Sequence, residues 1–194
     1  MINKYSLKTH GNKKLSQNFK VLEFSCHDGS DEIYIDSLLV DVLQKIREHF
    51  RQPVNINSAY RTPSYNLKVG GVSNSQHTKG TAADIVVKGI SPKEVAQYAE
   101  FVLDEKGGIG LYDSFVHIDT RSARSRWQNF GKEVAVSGFY GYAENKIKNP
   151  ADAISVLNKK GIIDSPDLWY GGRWNNDHVK QLLVKVANYI SRRG

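Results

Sequence analysis

Apolar residues at Leu38, Leu39, Val42, Ile46 and Phe50 recur every three or four positions. That period predicts a helix over 36–50 with one buried face, closed by Pro53. Val54-Asn55-Ile56-Asn57-Ser58 then alternates, as a strand does when one face is buried. Ser91-Pro92-Lys93-Glu94 combines a Ser N-cap, Pro at the first helical position and Glu at the third. The helix it starts is expected to run to about Lys106, stopped by Gly107-Gly108. Its Val95, Tyr98, Ala99 and Val102 share a face that should pack on a sheet. Ile85-Val86-Val87 and Phe115-Val116-His117-Ile118 read as strands, with Asp113-Ser114 as the turn before the second. Ile109-Gly110-Leu111 reads as a short strand or sheet edge. Residues 1–30 are polar and irregular, with Phe19, Leu22 and Phe24 expected to plug a groove, and 63–76 reads as a loop. The fold class predicted is α+β: a small, mostly antiparallel sheet with helices packed on it, followed by a small α-helical module.

The rhythm changes near the end of the chain. A body over 1–127 is followed by an expected linker over 128–148, with Gly131, Gly138, Gly141, Tyr140 and Tyr142. A C-terminal module over 149–194 begins at Asn149-Pro150, with Ala153, Ile154 and Leu157 facing inward and Gly161 ending the helix. Trp169, Tyr170 and Trp174 fall in a loop; Val179, Leu182, Leu183, Val186 and Ile190 trace a second helical face.

Composition narrows the partners. The 194 residues carry a formal charge of +7. From residue 128 onward, 10 Lys and Arg stand against 6 Asp and Glu. Such a balance suits an acidic polymer, and charge by itself does not choose among nucleic acid, an anionic membrane and an anionic wall polymer. No basic run interleaved with aromatics points to nucleic acid. No apolar run approaches the ~20 residues a membrane-spanning helix needs. The first residues lack the apolar stretch of a signal peptide, so synthesis in the cytoplasm is expected. Cys26 is the single cysteine, which excludes an internal disulfide and suits a buried small apolar position.

The candidate chemistry lies in Gln76-His77-Thr78-Lys79-Gly80-Thr81-Ala82-Ala83-Asp84 and Phe115-Val116-His117-Ile118-Asp119. Two imidazoles and a carboxylate, His77, Asp84 and His117, make a three-ligand set that suits zinc with a fourth position open for water. An open position is the mark of a catalytic site. Gly80 allows a tight backbone between the first two ligands. Arg61, delivered by the strand at 54–58, offers a planar fork for a carboxylate or oxyanion.

The series Ser58-Ala59-Tyr60-Arg61-Thr62, Ser75 to Ile85, Gly107 to Tyr112 and Phe115 to Asp119 resembles the zinc D-alanyl-D-alanine carboxypeptidase family of bacterial cell-wall peptidases. The resemblance covers roughly residues 15–127 and is absent from the last third. It implies a zinc peptidase over 1–127 acting on peptidoglycan, with zinc on His77, Asp84 and His117 and with Arg61 on substrate or transition state. Related zinc dipeptidases place a glutamate three residues before the last histidine, where this chain has Ser114. Asp119, about 7 Å along the strand on the His117 face, is then either the general base or an orienter of a ligand histidine. Asp113, in the preceding turn, is the other candidate base. The amide bonds that fit are D-Ala-D-Ala, L-Ala-D-Glu and a cross-bridge. The alternative is a zinc-bearing wall-binding module without catalysis, as in the hedgehog proteins, which share this general fold. A small peptidase with an extra basic module looks like a bacteriophage endolysin, made in the host cytoplasm and acting on the wall after release. The module would hold the wall through anionic polymers.

Overall fold

Local signals set most of the elements of the computed structural model, which describes residues 1–139, 154, 157–158, 160–165, 169 and 175–191. In chain order they are β1 (Ile2–Ser6), α1 (Leu7–His10), β2 (Glu32–Asp36), α2 (Ser37–Phe50), β3 (Val54–Ser58), α3 (Pro63–Lys68), β4 (Ala82–Val87), α4 (Pro92–Leu103), β5 (Gly108–Tyr112), β6 (Val116–Asp119), β7 (Ser125–Asn129), β8 (Glu133–Ala135) and α5 (Asn176–Ser191). Asp36 caps α2 by accepting from the Leu38 amide, and Ser91 with Glu94 forms the expected capping box on α4. The chain divides into two compact units, Met1–Tyr142 and Ala143–Gly194.

In the first unit six strands lie in the order β3-β4-β6-β5-β7-β8. Every pair is antiparallel except β5 with β7. Alternation along each strand gives the sheet two unlike faces. One carries Val54, Ile85, Val87, Ile109, Leu111, Val116 and Ile118, all buried in one core with Leu39, Leu43 and Ile46 of α2 and Val95, Ala96 and Ala99 of α4. The other carries Asp84, His117 and Asp119. The helices cover the apolar face, which leaves the polar face for chemistry.

The structure departs from the sequence expectations at several places. Residues 1–30 are irregular only in part: β1 pairs with β2 in a separate two-stranded sheet, and α1 follows it. Phe19 and Phe24 are buried, but Leu22 is 45% exposed and plugs nothing. Leu38 is 50% exposed because the α2 stripe runs through Leu39, Val42, Leu43 and Ile46, one position on. The loop at 63–76 opens with α3, whose cap is the Thr62 hydroxyl accepting from the Tyr65 amide, with Pro63 starting the helix. Helix α4 stops at Leu103 rather than near Lys106, with Asp104 at φ 55°. The cause is Arg126 of β7, only 4% exposed, whose guanidinium donates to the carbonyls of Asp104, Lys106 and Gly107 and to Glu100. Those carbonyls serve a buried cation instead of another helical turn. Strand β5 is no edge, since β6 and β7 flank it. The stretch expected to be linker holds the end of β7, all of β8 and the buried Phe139.

In the second unit Ile154, Ile162 and Ile163 are buried, and Gly161 turns the chain at φ 65°. Val179, Leu182 and Val186 of α5 are half-buried. Ala153, Tyr170 and Trp174 and the side chains of Leu183 and Ile190 lie outside the described residues.

Candidate metal centre

Pairing across the sheet places Ser58, Asp84, His117, Gly110, Trp127 and Ala135 in one row on the polar face. His77 reaches this row from a 3-10 turn, His77–Lys79, that ends at Gly80 in the left-handed region, φ 72°. The two histidines and Asp84 thereby meet. His77 Nε2 lies 3.2 Å from His117 Nδ1, His117 Nδ1 lies 2.9 Å from Asp84 Oδ1, and His77 Nε2 lies 3.3 Å from that oxygen. All three residues are buried, and they form the one such group of potential metal ligands among the described residues.

The opposite nitrogen of each ring is engaged. His77 Nδ1 donates to the Ala59 carbonyl at 2.6 Å, and His117 Nε2 donates to Asp119 Oδ2 at 3.0 Å. Each hydrogen bond fixes a tautomer, leaving Nε2 of one ring and Nδ1 of the other as lone-pair donors. Tetrahedral zinc at ~2.0–2.1 Å spaces its ligand atoms ~3.3 Å apart, so the triangle fits such an ion after a shift of a few tenths of an ångström. Burial opposes the charge on Asp84, but hydrogen bonds from His117 and His77 outweigh it and hold the carboxyl well below its ordinary range. Burial likewise pulls His117 down, while Asp119 and Asp84 on its two sides push it up to about 9.

The other predicted residues separate in role. Arg61 lies against the ligands: its Nη2 donates to Asp84 Oδ2 at 2.7 Å and its Nε to Ser58 Oγ at 2.9 Å. Its Nη1 makes no hydrogen bond among the described residues. Asp119 has 0% exposure. Its Oδ1 accepts from the amides of Gly108 and Arg121, and its Oδ2 from His117 and the Arg121 guanidinium. Asp113 is exposed at the tip of the β5–β6 hairpin. That tip is three residues beyond Gly110, the partner of His117, hence about 10 Å along the strand.

Sequence reasoning did not single out Trp127, Tyr112, Arg121 or the spaces left by Gly108 and Gly110. A Cβ on Gly110 would stand 2.4 Å from the Trp127 ring, and one on Gly108 would stand 2.1 Å from Asp119 Oδ2. The two glycines therefore admit an indole beside His117, ring centres 5.2 Å apart, and a carboxylate beneath it. Their spacing of two in Gly108-Ile109-Gly110 was the available signal, since it puts both on one strand face.

Peptidoglycan L,D-endopeptidase MepK of Escherichia coli (strain K12) is 35% identical over 99 residues, 46% of this chain and 53% of that protein. MepK of Shigella flexneri matches with the same identity and coverage. The chain thus spans about half the length of the curated relatives it matches. The family model for Peptidase M15 matches residues 17–119, a stretch that holds His77, Asp84, His117 and Asp119; the chain belongs to the Peptidase M15 family.

Proposed function

We propose that this protein is a zinc-dependent peptidase that hydrolyses an amide bond in the peptide part of bacterial peptidoglycan. The observation that carries this reading is a convergence of atoms: His77 Nε2 and His117 Nδ1 meet at Asp84 Oδ1, with the other nitrogen of each ring already hydrogen-bonded. A zinc ion held by those three atoms supplies Lewis acidity toward a carbonyl and a water whose pKa falls toward ~7. The protein's own groups do the rest. Arg61 pins the second oxygen of Asp84 and keeps Nη1 for a substrate carboxylate or a developing oxyanion. Asp119, enclosed and bonded through both oxygens, is a positioning residue for His117. Asp113 is the acidic candidate left for the base, a role that requires the hairpin tip to fold over the polar face. The relatives are named for L,D-endopeptidase activity, which favours an internal L,D bond, such as L-Ala-D-Glu, over a terminal D-Ala-D-Ala bond.

The C-terminal unit extends the proposal to wall attachment. It contains a cleft of about 180 Å³ lined by Trp169, His178, Gln181 and Lys185 among others. An aromatic wall beside amide and charged groups suits a sugar or an anionic wall polymer. A peptidase joined to such a unit fits a bacteriophage endolysin, made in the host cytoplasm and acting on the wall after release.

Ser114 where related zinc dipeptidases carry a glutamate and the full engagement of Asp119 favour a second reading, a zinc-bearing wall-binding module without catalysis. Incubation of the full chain with purified peptidoglycan, followed by mass spectrometry of the soluble fragments, separates the two. New amino termini at one bond type support the peptidase. Wall binding without new termini supports the module.

A further inference from the structure

Tyr112 is the second residue beyond Gly110 on β5, so it stands on the polar face. Its ring stacks on Phe115 across the hairpin, ring centres 4.2 Å apart at 11°. Its hydroxyl lies 3.2 Å from Trp127 Nε1. An indole N–H only donates, so the phenol oxygen is the acceptor in that bond and its own hydrogen remains available. Among the described residues that hydrogen has no acceptor. Trp127 shares its row with His117 and lies against that ring, so the indole links the Tyr112 hydroxyl to His117 across the polar face. Desolvation raises the phenol's pKa, and the charges of Glu133 and Asp84 add to this while Trp127 and Arg61 oppose it. The hydroxyl therefore stays protonated at neutral pH.

The polar face thus offers two uncommitted donors, a cationic one on Arg61, which is bonded to Asp84, and a neutral one on Tyr112, whose oxygen is bonded to the indole that lies against His117. Preorganised donors of this kind stabilise the charge that develops on a carbonyl oxygen under attack. We infer that Tyr112 is a catalytic residue of this site, donating its phenolic hydrogen to the oxygen of the scissile amide. Trp127 acts as a positioning residue through the bond from its indole. The inference rests on the peptidase reading of the site.

Tyr112→Phe removes the hydroxyl and keeps the ring stack. It is compared with the wild-type chain for metal content, thermal midpoint, kcat and KM on a soluble stem peptide. Calorimetry also measures the affinity of both zinc-loaded proteins for a phosphinate analogue of an alanyl dipeptide, whose oxygens mimic the tetrahedral oxyanion. The expected result is unchanged metal content and midpoint, kcat lower by about 100- to 1,000-fold, little change in KM and at least about tenfold weaker phosphinate binding. Unchanged kcat and unchanged phosphinate affinity would overturn the inference, as would a loss that follows metal content or midpoint. A wild-type chain that cleaves nothing would refute the peptidase reading, and the phosphinate comparison would still decide the part played by Tyr112.

Discussion

His117 gives its Nε2 hydrogen to Asp119 Oδ2 at 3.0 Å, and this one bond decides which nitrogen of His117 faces His77 and Asp84. A carboxylate that is wholly enclosed and accepts from an arginine, two backbone amides and an imidazole is built to hold a ring in place.

Asp119→Asn should accordingly weaken metal binding by about 10- to 100-fold, because the amide supports the His117 tautomer less well. Competition with a chelator of known affinity measures this. Undiminished metal affinity with a collapsed kcat would instead make Asp119 the general base.

Gly110→Ala should destabilise the fold by about 1–3 kcal/mol, since the added methyl meets the Trp127 ring, which lies against His117 and is bonded to the Tyr112 hydroxyl. Denaturant unfolding of the metal-free variant reads the change. A variant as stable as the wild type would mean the indole has room to move.

Much of the first unit was legible because its signals are local. The α2 stripe, the alternation of β3 and the capping box of α4 lie within a few residues, and each element formed where its signal lay. The meeting of His77, Asp84 and His117 was legible because residue types and spacing carry the chemistry of a candidate metal site. Strand β7 was not. Its Arg126 points into the covered side and its Trp127 toward the open one, the reverse of an ordinary half-buried strand. What makes it a strand is parallel pairing with β5, a relation between distant segments. The same pairing brings Trp127 to Tyr112 and His117, so their association could not be read from either segment alone. Thr62-Pro63 did carry a local helix start, but the glycines and serines that follow obscured it.

The metal-free protein should be most stable in mildly acidic solution. His117 is raised from an ordinary 6.5 to about 9, so its contribution is fully present below about pH 6.5 and is lost as the pH rises through about 9. Asp84 and Asp119 are lowered from an ordinary 3.8, so their contribution is present above that value and is lost as the pH falls below it. Metal binding displaces the proton at His117 Nδ1, so the rise in thermal midpoint on adding zinc should grow from pH 6 to pH 8. Thermal scans with and without zinc test both statements; a metal-induced rise that is larger at pH 6 than at pH 8 would contradict them.

A chain ending at Tyr142 should keep activity on a soluble stem peptide and sediment less with purified cell walls than the full chain does. The motive is the division of the structure into units at that residue and the Trp169 cleft beyond it. Equal sedimentation of the two chains would remove the wall-holding role of the C-terminal unit.

The central claim is that His77, Asp84 and His117 hold a zinc ion that cleaves peptidoglycan peptides. The most direct measurement counts amino groups released from purified peptidoglycan by the metal-stripped full chain as zinc is titrated back, beside His117→Ala treated alike. The account predicts that activity rises with zinc and saturates at one ion per chain, while His117→Ala binds no ion at this site and releases no amino groups. Full activity of the stripped protein, or full activity of His117→Ala, would contradict it.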